Sequence, residues 1–161
     1  MLLITDANIF MDLEKVSLLE YFDSLSFDFA TSDFVFNELN PQQQTVVKHL
    51  DVSIYEISAN EIATFYKEFA DLGQLNISYQ DYSIFYHAKK CDGTVLSNDK
   101  RLRNFAKVRS IPVKGLFFIL DEFVGQGIVD KELMVEKLIL LKEINKRLPI
   151  KELDKRIEKL K

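Results

Sequence analysis

Short apolar runs alternate with helix-start signals along this chain, and that alternation limits it to an α/β fold with a largely parallel sheet. Met1 to Thr5 is the first run and stops directly at Asp6. Phe27 to Thr31 is the second, followed by Ser32, a residue type favoured at helix N-caps. Ser53 to Ile57 alternates polar and apolar residues and predicts a third strand. Ser58-Ala59-Asn60-Glu61 has the spacing of a capping box and predicts a helix to about Asp71, with Gly73 near its end. Ser78-Tyr79-Gln80-Asp81 repeats that spacing and predicts a helix to about Lys90. Asp92-Gly93 marks a turn, Thr94-Val95-Leu96-Ser97 the next strand, and Asp99 precedes a helix ending near Val108. Ile111-Pro112-Val113 is the last short strand, and helices follow from Gly115 to the end. Leu116, Ile119, Leu120 and Phe123 share one face of the first of these. Leu133, Leu138, Leu141 and Ile144 suit the second, and Leu153, Ile157 and Leu160 the last.

The 161 residues fit one domain, and a domain of this length buries roughly 70% of the surface of its unfolded chain. With 47% hydrophobic residues and 13 phenylalanines, the core needs no staples. The single cysteine, Cys91, excludes a disulfide framework and a Cys-rich zinc site, in keeping with a reducing cytoplasm. The opening MLLITDANIF reaches an aspartate too early for a signal-peptide core. Nothing approaches the ~20 apolar residues that span a bilayer, so no membrane partner is expected.

Three aspartates stand at telling places. Asp6 ends the first strand, Asp99 lies just beyond a later one, and Asp81 falls in the first turn of a helix. Glu38 comes late in the short helix after the second strand. Ligands of open parallel sheets bind outside the carboxyl ends of the strands, where these acids would converge. Two unit charges 4 Å apart repel by about 4 kcal/mol at an effective dielectric of 20. Such a cluster protonates at neutral pH unless a cation is present, and oxygen donors without Cys or His suit Mg²⁺ or Mn²⁺. Each acid also has a local reading. Asp81 stands where an acid supports a helix start, and Asp99 where aspartate serves as an N-cap. Glu38 taken by itself reads as a solvated helix residue, and Asp6 also as a partner of Asn8 in a local turn.

Four local sequences together resemble the PIN-domain family. Leu3-Ile4-Thr5-Asp6-Ala7-Asn8-Ile9-Phe10 resembles its opening, an apolar strand followed by Asp-x-Asn. Ser32-Asp33-Phe34-Val35-Phe36-Asn37-Glu38-Leu39 is similar to its second element, and Ser78-Tyr79-Gln80-Asp81-Tyr82-Ser83-Ile84 to its third. Val95-Leu96-Ser97-Asn98-Asp99-Lys100-Arg101-Leu102-Arg103 resembles the fourth. Order and spacing agree over roughly residues 1 to 120. The resemblance implies a three-layer α/β/α sandwich with a central, mainly parallel sheet. It also implies Mg²⁺ or Mn²⁺ held by Asp6, Glu38, Asp81 and Asp99, with Asn8 and Ser97 in support. The activity implied is a metal-dependent endoribonuclease, in small bacterial members a VapC-type toxin restrained by an antitoxin, with a homodimer as the family expectation. On this reading residues 1–125 are the PIN-like nuclease domain. Residues 126–161 are an added C-terminal helical extension packed on the same domain.

The net charge of −4 is unusual for a nucleic-acid binder, but the balance reverses locally. Lys89, Lys90, Lys100, Arg101, Arg103, Lys107, Arg109 and Lys114 face only Asp92 and Asp99 between residues 89 and 114. Such a patch suits a phosphate backbone, and Lys100, Arg101 and Arg103 adjoin the expected metal site. A solvated helix face is the competing explanation. His49 and His87 read as surface or packing residues rather than ligands. The aromatic residues read mostly as core, with Phe10, Phe34 and Phe36 placed to line a groove for a partner helix. Two rival functions remain open. A catalytically silent PIN-fold module binding nucleic acid or protein fits the acidic charge and added helices. A phosphohydrolase with Asp6 as nucleophile would need a second acid where Asn8 stands.

Overall fold

The computed structural model describes residues 1–73 and 76–161. In chain order the elements are β1 (Leu2–Thr5), α1 (Ala7–Lys15), a 3₁₀ turn (Leu19–Ser24), β2 (Asp28–Ser32), α2 (Asp33–Glu38), α3 (Pro41–His49) and β3 (Val52–Tyr55). Then come α4 (Ala59–Asp71), α5 (Tyr79–Lys90), β4 (Thr94–Leu96), α6 (Lys100–Val108), β5 (Val113–Lys114), α7 (Leu116–Gly125), α8 (Lys131–Ile144) and α9 (Ile150–Leu160). The sheet is wholly parallel, ordered β3-β2-β1-β4-β5. A central parallel sheet flanked by helices is the α/β/α fold that the sequence motifs imply.

The strand order decides where a ligand can bind. Strands run outward from β1 in one direction to β2 and β3, and in the other to β4 and β5. The connections reverse between β1 and β4, which opens a crevice beyond the carboxyl ends of those two strands. Their register pairs Leu3 with Thr94, Ile4 with Val95 and Thr5 with Leu96. The next residues on each strand are Asp6 and Ser97.

Two compact units account for the described chain. The first comprises Met1–Ile9 and Phe27–Gly115. Its core joins Ile4, Ala30 and Val95 of the sheet to Phe65, Ile84, Phe85, Leu102 and Phe105 of the helices. The second comprises Phe10–Ser26 and Leu116–Lys161. Here Phe10 packs on Phe22, and Arg156 lies over the Phe117 ring while pairing with Asp121 and Glu152. On α8 the buried face is Met134, Leu138 and Leu141, whereas Ile144 is exposed.

Helix starts follow local chemistry. Ser32, Ser78, Asp99 and Asp130 each accept a hydrogen bond from the third residue of the following helix. Helix α3 has no apolar periodicity to announce it. It begins at Asn40-Pro41, where Asn40 and Gln43 form a reciprocal capping box and proline occupies the first turn. Among the described residues no helix is long and apolar enough to cross a membrane.

Candidate acidic site at the carboxyl edge of the sheet

Asp6 is 4% exposed at the crevice between β1 and β4. Its backbone N–H continues the ladder to the Leu96 carbonyl, and its Oδ1 accepts from the Ile9 N–H, capping α1. Its Oδ2 accepts a hydrogen bond from the Ser97 hydroxyl. Burial pushes the Asp6 carboxyl up to about 7. The Ser97 hydroxyl and the Ile9 N–H oppose the rise, while repulsion from Asp81 adds to it. Asn8 also reaches Asp6, but through its backbone N–H; its side chain is on the exposed side of α1.

Asp99 is half-buried at the N-cap of α6, where its Oδ1 accepts from the Leu102 N–H at 2.8 Å. Its own N–H donates to the Ser97 hydroxyl oxygen at 3.0 Å, so Ser97 ties Asp6 to Asp99. Arg103 holds the same segment from behind, with its guanidinium donating to the Ser97 carbonyl at 2.9 Å. A Cβ on Gly115 would stand 2.6 Å from Asn98 Oδ1 and 2.9 Å from Arg103 Nη1. Glycine there leaves room for both side chains.

Asp81 is half-buried in the first turn of α5, its N–H capped by Ser78 at 3.0 Å. Its carboxyl is pushed up to about 6, first by burial and then by the charge of Asp99. The Ser78 hydrogen bond pulls it back, and Glu38 adds a smaller push. Glu38 is exposed at the end of α2, with its carboxyl raised by partial burial. Asp81 is therefore the acid linked to the other three, raised by Asp99 and Glu38 and itself raising Asp6. Among the described residues no three acids, histidines or cysteines stand close enough to enclose an ion as they are.

A row of buried hydroxyls beneath the acids escaped the sequence reading. Thr31 donates to the Thr5 carbonyl at 2.7 Å, and the Ser83 and Ser32 oxygens are 2.6 Å apart. Each hydroxyl has one proton. Ser32 accepts from the Val35 N–H, and Ser83 also reaches the Gln80 carbonyl. Every donor is used once if the chain runs from Val35 N–H to Ser32, from Ser32 to Ser83, and from Ser83 to Gln80. This ties the start of α2, which carries Glu38, to the first turns of α5, which carry Asp81. The sequence signal was available: β1, β2 and the β4 segment end in Thr5, Thr31-Ser32 and Ser97.

The basic stretch is thinner in space than in sequence. Lys90 pairs with Glu61, Arg109 stacks over Phe105, and Arg103 serves the Ser97 carbonyl. Lys100 and Arg101 are exposed at the start of α6, beside Asp99. Phe10 and Phe36 are buried and do not line an open groove, whereas Phe34 remains half-exposed. His87 is buried near the Tyr55 and Tyr86 rings, and its pKa is lowered to about 4 by desolvation and by Lys90. His49 is exposed and bonds to the Thr45 carbonyl of its own helix.

A family model described as PIN domain (DUF3368) matches residues 2–161. The chain belongs to the PIN-domain family. The match spans both compact units, so the C-terminal helices of this PIN domain are part of the family pattern. A solved structure, VapBC2 from Rickettsia felis bound to a DNA fragment from their promoter, is 17% identical to it. That likeness covers 71% of this chain and 98% of the other, with a TM-score of 0.48. No curated protein matches the chain.

Proposed function

We propose that this PIN domain is a Mg²⁺- or Mn²⁺-dependent endoribonuclease in which Asp6, Glu38, Asp81 and Asp99 are the ion-holding acids. The observation that carries the proposal is the position of Asp81. It is half-buried, its carboxyl is raised to about 6 by burial and by the charges of Asp99 and Glu38, and it in turn raises Asp6, with no basic partner among its influences. Such repulsion at a switch-point crevice is relieved by a divalent cation. The donor set fits one of the hard ions, since it offers carboxylate oxygens and neither thiolate nor imidazole. Bound there, the ion would supply a water of lowered pKa and charge stabilisation at the phosphoryl oxygens.

The chain's own residues supply the rest. Ser97 and the Ile9 N–H fix the Asp6 carboxylate in one orientation. Asp81, titrating near 6, is suited to take a proton from an attacking water at neutral pH. Lys100 and Arg101 draw the phosphate backbone towards the acids. RNA as the substrate, a small antitoxin as the restraint, a homodimer and a cytoplasmic site of action all rest on the motif resemblance.

The test is cleavage of RNA by purified protein with and without EDTA, beside Asp6→Asn and Asp99→Asn. Cleavage confined to the metal-containing wild type is expected. Equal activity in all four samples would overturn the proposal. Growth arrest on expression of the chain, relieved by Asp6→Asn, would extend it to a toxin.

A further inference from the structure

Of the 13 phenylalanines and 6 tyrosines, the exposed ones are Tyr66 and Tyr79, at 46% and 42%. They stand together. Both rings pack on Phe34, with centroids 6.2 and 5.6 Å from it. The exposed aliphatic residues Val108, Ile139, Ile144 and Ile150 lie on or beside other helices.

The cluster has a definite place along the sheet edge. Phe34 follows the end of β2, Asp6 follows β1, and Lys100 and Arg101 follow β4. These strands are consecutive in the order β2-β1-β4. Along the carboxyl edge the aromatic cluster thus begins on the β2 side of Asp6, and Lys100 and Arg101 lie on the β4 side, next to Asp99. Tyr79 opens α5 two residues before Asp81, roughly 200° around the helix axis from it, so about one helix width of 10 Å separates ring from carboxylate. Charge next to the cluster is negative: the Asp33 carboxyl is raised by burial and by Glu56. A phosphate is repelled there, whereas an uncharged base is not.

We propose that Tyr66, Phe34 and Tyr79 form a stacking shelf for an unpaired RNA base on a nucleotide flanking the one held at the acids. The proposal rests on the ribonuclease reading above. Aromatic side chains bind single strands by stacking whatever the base. A paired base is already stacked within its helix and cannot reach the shelf. The strand then crosses the crevice with its backbone near Lys100 and Arg101 and its flanking base on the tyrosines.

The experiment is fluorescence anisotropy of a labelled single-stranded RNA with the full chain in EDTA, where the ion is absent and the strand stays intact. The Tyr66→Leu/Tyr79→Leu pair keeps an apolar cover on Phe34 but removes the rings; the Tyr66→Phe/Tyr79→Phe pair keeps the rings. Binding about tenfold or more weaker is expected for the leucine pair, and within about twofold of wild type for the phenylalanine pair. An RNA duplex should show no difference among the three proteins. In Mn²⁺ the leucine pair should raise KM more than it lowers kcat.

Wild-type binding by the leucine pair, with wild-type cleavage still abolished by Asp6→Asn, overturns the shelf and leaves the ribonuclease reading standing. Loss of a copurifying protein, with RNA binding intact, also overturns it, in favour of a protein-docking surface. Neither binding nor cleavage by the wild type overturns both.

Discussion

Helices α4 and α5 open with the same pattern, a serine followed three residues later by an acid, yet the two acids end in opposite electrostatic states. Glu61 is held down to about 2, first by its hydrogen bond to Lys90 and then by those from Tyr86 and Ser58. Asp81 is pushed up to about 6 by burial and by Asp99 and Glu38. The serines differ as well. Ser78 caps its helix by accepting from the Asp81 N–H, whereas Ser58 makes no side-chain cap and donates to Glu61. A capping pattern thus fixes where a helix starts. What faces the acid from other elements fixes what the acid can do.

The sharpest way to break this comparison is to neutralise each acid in turn. Asp81→Asn should lower Mn²⁺-dependent RNA cleavage by about a hundredfold or more. Glu61→Gln should leave it within about twofold. Equal losses in a gel-based cleavage assay would mean that the two acids are both structural.

A second contrast concerns pH. Asp6 and Asp81 keep their protons in the folded state after the unfolded chain has lost them, so the metal-free protein should lose stability as pH rises from about 4 to about 7. Asp6→Asn keeps a residue suited to capping α1 and removes the buried charge. At pH 7.5 without metal it should stabilise the fold by on the order of 2 kcal/mol, a rise in Tm of roughly 5 °C. Mn²⁺ should raise the wild-type Tm more at pH 7.5 than at pH 5. Calorimetric scans at both pH values check each expectation, and a Tm for Asp6→Asn below that of wild type would refute the first.

Smaller effects separate the serines. Ser78→Ala should cost about 1 kcal/mol through loss of its cap, whereas Ser58→Ala should cost a few tenths at most. Ser83→Ala breaks the hydroxyl chain to Ser32 and should cost about 1–2 kcal/mol. Urea denaturation resolves the first two, and the comparison fails if Ser58→Ala is the more damaging. Smallest of all, the stabilisation that Glu61 draws from Lys90 is present above the ordinary glutamate range and vanishes as pH falls through about 2. Being at the surface, it should fade in high salt, so Glu61→Gln should lower Tm slightly at low ionic strength and not in 1 M NaCl.

What was legible in the sequence was local. The apolar run into Asp6, the box at Ser78 and the strand ending at Ser97 each announce themselves within a few residues, and their elements fall within a residue or two of the expected ends. Pairings between distant segments were not legible. Nothing near Ser97 says that its hydroxyl meets Asp6, because that follows from β4 docking beside β1. Likewise Glu61 and Asp81 look alike until Lys90 is found opposite one and Asp99 opposite the other. Helix α3 was missed because polar residues follow Asn40-Pro41, and its start rests on capping rather than on a buried stripe. The exposure of Tyr66 and Tyr79 was hidden by the same limit, since aromatic residues on helices usually mark a core.

The adjacency of β1 and β4 also orders events in time. In chain order Asp6 comes before the serine that orients it, which lies 91 positions later. Until β4 has been made and has docked, Asp6 lacks its hydroxyl partner. A chain made only as far as α4 thus carries the first acid without the constellation.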